Sequence, residues 1–250
     1  MGAHLTRLLL LLAVGLAHFN TLGNSFHFDD EHSLTENPHI RDLGNIPAFF
    51  VRTDMFSRNV GSDMYRPLVL VSYALNYRVG GFEVRGYHVV NLLLHVLVTW
   101  LVYGLLVSIG GSGYGGLFAP ALFGVHPLTA EPVNYISNRS ESMAALFALL
   151  SFYLYARSSR GRPSLLSLSA FAGTLLSKST AVCLPLALIL YEISQRGEGG
   201  RGGGVYGVAS GRSGCALVYV AGSSALIRRG DDGERLRSWT DQANMLVNER

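Results

Sequence analysis

The chain has 250 residues, of which 49% are hydrophobic and 15% charged, with a mean hydropathy of +0.28. A soluble domain carries about 25% charged residues, so this composition favours a membrane protein. A formal charge of +3 would suit a nucleic-acid partner, but the arginines are dispersed and no basic stripe interleaved with aromatics occurs, which sets that class aside. Cys183 and Cys215 form neither a metal-ligand spacing nor a disulfide framework.

The first apolar run, Leu8 to Ala17, follows Arg7 and continues through Phe19 and Leu22 without a clean cleavage site. It reads as a tilted anchor over 6–22, the alternative being a cleaved signal peptide. Residues 24–85 are then too polar to cross a bilayer: fourteen charged residues fall between Asn20 and Gly86, against three from Tyr87 to Ala156. Within this long loop, Pro67 to Tyr77 has helical apolar spacing and is expected to lie flat on the membrane surface.

Gly86 to Val107 is 22 residues, about 33 Å as a helix, which matches one hydrocarbon thickness. A Gly/Ser turn leads to a return span at 114–125. His126 and Glu131 each precede a proline and are biased to extended backbone, so the helix should stop there and a loop run from Pro127 to Ser140. A further span covers 141–156. The apolar stretch 164–193 is interrupted at Ser177-Lys178-Ser179, which predicts two helices, 164–177 and 180–193, meeting at Lys178. A weak last span covers 205–227, and 228–250 is a polar tail.

The reading is therefore an all-α polytopic membrane protein of about six to seven spans in one membrane domain, 1–227, with a long first extracytoplasmic loop. Arg7, Arg157/Arg160/Arg162 and Arg196/Arg201 mark the cytoplasmic side by the positive-inside rule. Counting spans then puts the 24–85 loop, the His126–Glu141 connection, Lys178 and the tail together on the opposite face.

Several polar residues are candidates for chemistry. Asp29 and Asp30, just behind the first span, can take a proton from a hydroxyl nucleophile or hold a metal, although a solvated acidic loop start has the same composition. His88, Asn91 and His95 lie within about 60° on one helical face. For Asn91 and His95 this spacing suggests interhelical hydrogen bonding, whereas His88, nearest the outer end, has the better claim on a site. His126, Glu131 and Arg139 lie in the charged connection between two clean spans, where an arginine can bind phosphate bidentately. Lys178 calls for an anionic partner, because an ammonium inside an apolar run is costly.

Asn24-Ser-Phe-His-Phe-Asp-Asp, Glu36-Asn-Pro-His-Ile-Arg, Tyr65-Arg-Pro-Leu, His88-Val-Val-Asn-Leu-Leu-Leu-His, His126-Pro-Leu-Thr-Ala-Glu-Pro-Val, Asn138-Arg-Ser-Glu and Lys178 occur in that order. Together they resemble the membrane domain of the transmembrane and tetratricopeptide-repeat-containing O-mannosyltransferases and their bacterial relatives. That family is similar to the C-type (GT-C) glycosyltransferases, which transfer a sugar from a polyprenyl phosphate, with inversion, on the extracytoplasmic side. The resemblance implies a mannosyltransferase acting on a protein or glycan hydroxyl, in the endoplasmic reticulum or a bacterial inner membrane. Asp29 or Asp30 would be the base with His88 nearby. His126, Arg139 and Lys178 would face the lipid phosphate, and Glu131 would orient a basic neighbour or the sugar.

The lipid-linked sugar would be the donor; no cofactor or metal is demanded by these residues. Ser179 stands where the family often has an acid, and neither tetratricopeptide repeats nor the later spans follow. The alternative is thus a truncated or non-catalytic paralogue of the same fold. A solute transporter would instead show paired half-repeats and midplane polar residues.

Overall fold

A computed structural model describes residues 2–57, 64–109, 113–158, 163–179 and 183–198, and among these the chain is helical with no strand. Helix α1 is Gly2–Ala17, extended by a 3-10 turn at Phe19–Gly23. Short turns at Glu31–Thr35, His39–Arg41 and Leu43–Asn45 lead to α2 (Ile46–Phe49), followed by α3 (Pro67–Gly80) and α4 (Val84–Ser108). Beyond these lie α5 (Gly113–Val125), α6 (Pro127–Asn134), a 3-10 turn at Ile136–Asn138, α7 (Arg139–Ala156), α8 (Leu165–Leu175) and α9 (Cys183–Glu198).

Among the described residues, two segments are long and apolar enough to cross a bilayer: Leu5–Gly23, of 19 residues, and Val84–Ser108, of 25. Gly116–Val125, Leu165–Leu175 and Cys183–Ile193 are shorter apolar helices. The bundle has an inverted polarity. Leu8, Leu12 and Leu16 of α1, Leu93, Leu97 and Trp100 of α4, and Leu165 and Leu166 of α8 face outward, whereas His95, Thr99, Ser151, Ser167 and Thr174 are buried. In water this arrangement would expose apolar surface and desolvate polar groups. In lipid, both choices are the favourable ones.

Pairs of polar groups join the helices. The Ser151 hydroxyl donates to the Ser167 carbonyl (2.8 Å) and the Ser167 hydroxyl returns a bond to the Ser151 carbonyl (2.9 Å), tying α7 to α8. His18 and His95 both reach the Gly124 carbonyl at 2.9 Å, which joins α1, α4 and α5.

The long loop is itself folded. Helix α3 forms where helical spacing predicts it and is wrapped by the short turns, and Val69, Leu70, Tyr73 and Ala74 are buried with Leu34, Ile40, Phe49 and Phe56. Tyr87 of α4, Ile136 and Met143 of α7 complete this core. The loop is therefore a folded cap seated on the ends of α4 and α7, with apolar residues from more than one face of α3 buried in it.

The connection 127–140 is also more ordered than a loop. Pro127 opens α6 with His126 as its N-cap in extended conformation, as the proline requires, but Glu131 is helical despite Pro132. The Asn91 amide donates to the Pro132 carbonyl (3.2 Å), and Val133 is fully buried. These contacts offset the bond that Pro132 cannot make. Lys178 lies between the end of α8 at Leu175 and the start of α9 at Cys183, where two helices rather than one were expected to meet. The spans expected at 205–227 and the tail 228–250 lie outside the described residues, as does Cys215.

Candidate functional site

The cap places the two acidic neighbours in opposite environments. Asp30 is 1% exposed: one carboxylate oxygen accepts from the Ser137 N–H (2.8 Å) and hydroxyl (2.6 Å), the other from the His27 N–H (3.0 Å). Both oxygens thus hold backbone, fastening the first loop to the turn before α7. The Asp29 side chain is 66% exposed, and His32 Nε2 lies 3.4 Å from Oδ1. The other His32 nitrogen is 3.0 Å from the Ser57 hydroxyl. The Asp29 N–H donates to the Tyr135 hydroxyl at 2.9 Å. Phe28, immediately before, has φ of 45°, a left-handed backbone conformation that is strained for a bulky side chain and turns Asp29 outward.

Arg66 feels the charge of this carboxylate. Its position before Pro67 keeps it out of the helix, and it donates to the Ser140 hydroxyl at 3.1 Å while its guanidinium lies 5.2 Å from the centre of the Phe56 ring. Burial lowers the Arg66 pKa below the usual arginine range, opposed by Tyr73 and Asp29. Residue Glu141, next to Ser140, forms an ion pair with Lys178. Burial and the Arg66 charge together lower the Lys178 pKa. The Leu68 N–H donates to the Leu176 carbonyl (3.3 Å), which brings the break after α8 to the start of α3. Asp29, Arg66, Glu141 and Lys178 are thus a group linked electrostatically and through Ser140 and the Leu68–Leu176 contact.

Behind Glu141 runs an apolar groove of about 340 Å³ between α7, α8 and α9, lined by Ala144, Ala145, Ala148, Leu149, Phe152, Thr174, Leu184 and Ala187. Glu141 lines its polar end.

The remaining sequence candidates are placed elsewhere. Arg139, expected to face phosphate, is 0% exposed and donates to Asn91 Oδ1 (2.7 Å), Asn76 Oδ1 (2.7 Å), Ser72 Oγ (3.3 Å) and the Tyr87 carbonyl (2.9 Å). The rings of Tyr73 and Tyr87 lie 4.9 and 5.6 Å from its guanidinium carbon. It is a central tie of the cap. His88 is buried below, with Nδ1 3.2 Å from the Thr21 hydroxyl and Nε2 without a hydrogen-bond partner among the described residues. His126 Nδ1 accepts the Leu128 N–H at the start of α6, and Glu131 accepts from the Asn138 amide at 2.8 Å. Neither joins the Asp29 group. Among the described residues no three His, Cys, Asp or Glu side chains cluster as metal ligands.

Arg66, Tyr135 and His32 were not singled out as site residues by sequence reasoning. Arg66 had one available clue, since it lies in the Tyr65-Arg-Pro-Leu run; Tyr135 and His32 had none beyond being near charged neighbours. Burial raises the Tyr135 phenol pKa, and the Asp29 carboxylate reinforces this.

Outward-facing apolar side chains, buried interhelical polar ties and, among the described residues, two helices long enough to cross a bilayer mark an all-helical protein of membrane character. It belongs to the dolichyl-phosphate-mannose-protein mannosyltransferase family, whose sequence pattern matches residues 66–200. The chain is 36% identical over 183 residues to Protein O-mannosyl-transferase tmtc2 of Xenopus laevis, covering 70% of this chain and 21% of that protein. It is 33% identical over 188 residues to Protein O-mannosyl-transferase Tmtc1 of Drosophila melanogaster, with coverage of 70% and 21%. Against Protein O-mannosyl-transferase TMTC2 of Homo sapiens it is 34% identical over 157 residues, covering 60% and 18%. The chain spans about a fifth of the length of these relatives. No solved structure matches it.

Proposed function

We propose that this chain carries the donor and base site of a membrane mannosyltransferase that moves mannose from a polyprenyl phosphate, of the dolichyl type, to a hydroxyl on protein. The observation that carries the reading is the exposed Asp29 carboxylate, the Arg66 cation on which its charge acts, and the Lys178–Glu141 pair whose Glu141 lines the end of an apolar groove. A donor of this kind is part hydrocarbon and part sugar phosphate. The groove suits the first isoprene units and the two cations suit the phosphate.

In the reaction, the acceptor oxygen forms a bond to the anomeric carbon from the face opposite the phosphate, while the bond from that carbon to the phosphate oxygen breaks. Asp29 takes the hydroxyl proton as this happens, and the leaving polyprenyl phosphate keeps the electron pair. Arg66 and Lys178 meet the charge that grows on the leaving oxygen. His32 positions Asp29, and Glu141 holds the Lys178 ammonium at the groove end. Arg139, Asp30 and His88 build the cap beneath. The polar end faces the extracytoplasmic side, and the shorter apolar helices cross the membrane with α1 and α4.

The names of the relatives favour this reading over a non-catalytic paralogue, since each is described as a protein O-mannosyl-transferase. Mannosyl transfer from dolichyl phosphate mannose to an acceptor protein tests it. Asp29→Asn is expected to lower the rate by about 100-fold or more. Equal rates for wild type and this variant would remove the proposed base.

A further inference from the structure

At the opposite end of the bundle a second cavity, of about 280 Å³, lies between α1, α4 and α7. It sits about 24 Å along α4 from His88, the distance from residue 88 to residue 104 at helical rise. Its walls are apolar, from Trp100, Leu101, Val107 and Leu150, and two arginines line it, Arg7 and Arg157.

Each arginine is held by a tyrosine. Arg7 Nε donates to the Tyr103 hydroxyl at 3.0 Å with the guanidinium 5.2 Å from that ring's centre. Arg157 Nη1 donates to the Tyr153 hydroxyl at 2.9 Å, with its guanidinium 5.6 Å from the Tyr153 ring. A phenol orients a guanidinium without neutralising it. Neither arginine has a carboxylate partner among the described residues. Two oriented, uncompensated cations on an apolar chamber at a membrane boundary match a ligand with an anionic head and a hydrocarbon body.

We infer that this cavity binds the headgroup phosphate of an anionic phospholipid, with an acyl chain along the Trp100 to Leu150 wall. Free phosphate shares the head chemistry but makes no use of apolar walls, so the lipid is the occupant that satisfies both halves of the site. The proposal does not depend on the transferase reading, because the two sites share no residue.

Native mass spectrometry of the full chain in neutral detergent, titrated with phosphatidylglycerol, phosphatidylcholine and inorganic phosphate, tests it. One phosphatidylglycerol per chain is expected to remain bound at concentrations where phosphatidylcholine is lost. The Arg7→Gln/Arg157→Gln double variant should weaken it by about tenfold or more. Val107→Trp, which fills the cavity and keeps both arginines, should weaken it as well, while Lys178→Gln should leave it in place. Equal retention of the two lipids, retention unaffected by both cavity variants, loss in Lys178→Gln, or displacement by millimolar phosphate would each overturn the lipid assignment.

Discussion

Asp29 and Asp30 are adjacent in sequence and differ in what surrounds them: one is 66% exposed, whereas the other is sealed and accepts three hydrogen bonds. Asp30→Ala leaves the Ser137 and His27 N–H groups unsatisfied and is expected to cost about 2–3 kcal/mol of stability, read as a lowered midpoint of thermal unfolding in detergent. Asp29→Asn should leave that midpoint unchanged. Lys178 gives a pH dependence. Because burial and Arg66 lower its pKa, it loses its proton at a lower pH than a free lysine, so phosphate binding weakens as pH rises through that value. KM for the donor should therefore climb on the alkaline side. Lys178→Arg, which stays charged, should move the climb to higher pH. Which of two acidic neighbours is exposed, or which of Arg66 and Arg139 is fully enclosed by the cap, cannot be read from residue type. These outcomes depend on Ser137, Asn91 and Tyr87, far away in the chain.

At the scale of helices, the polar face of α4 was legible, since His88, Asn91 and His95 repeat at helical spacing and all three are buried. Their partners were not, because they come from α1, α5 and α6. Gly124 shows why. A Cβ there would lie 2.5 Å from Val14 Cγ2 and 3.1 Å from Thr99 Cγ2, so the close approach of α1, α4 and α5 depends on its missing side chain. Gly124→Ala should destabilise the bundle by about 1–3 kcal/mol and disturb the shared acceptor of His18 and His95, measurable by thermal unfolding. The helix α6 was missed because Glu131-Pro132 reads as a break. Tertiary contacts from Asn91 and the burial of Val133 outweigh that local preference.

For the molecule as a whole, the proposed donor groove and its cationic mouth should separate in kinetics. Ala145→Phe narrows the groove without touching Asp29, Arg66 or Lys178. It is expected to raise KM for a long-chain dolichyl donor by about tenfold, with little effect on a short-chain prenyl phosphate mannose, compared by initial rates. Orientation is open to a second measurement. Cysteines introduced at Glu31 and Glu131 should react with a membrane-impermeant reagent from one side, and one at Arg157 from the other. Labelling of positions 31 and 131 from opposite sides would contradict the cap, in which residues 29 and 135 are 2.9 Å apart.

From the amino-acid order alone follow the apolar helices, the break at Lys178, the polar character of 24–85 and the pairing of a lipid environment with ionisable residues. Each is a local property, set by hydropathy over one window or by proline and charge at one position. Only tertiary structure decided that the described parts of the 24–85 loop fold into a cap, that Asp29 rather than Asp30 meets solvent, and that Arg139 is a buried tie while Lys178 pairs with Glu141. Those outcomes depend on desolvation and hydrogen-bond satisfaction, which are fixed by neighbours more than a hundred residues apart in some cases, such as Asp30 and Ser137.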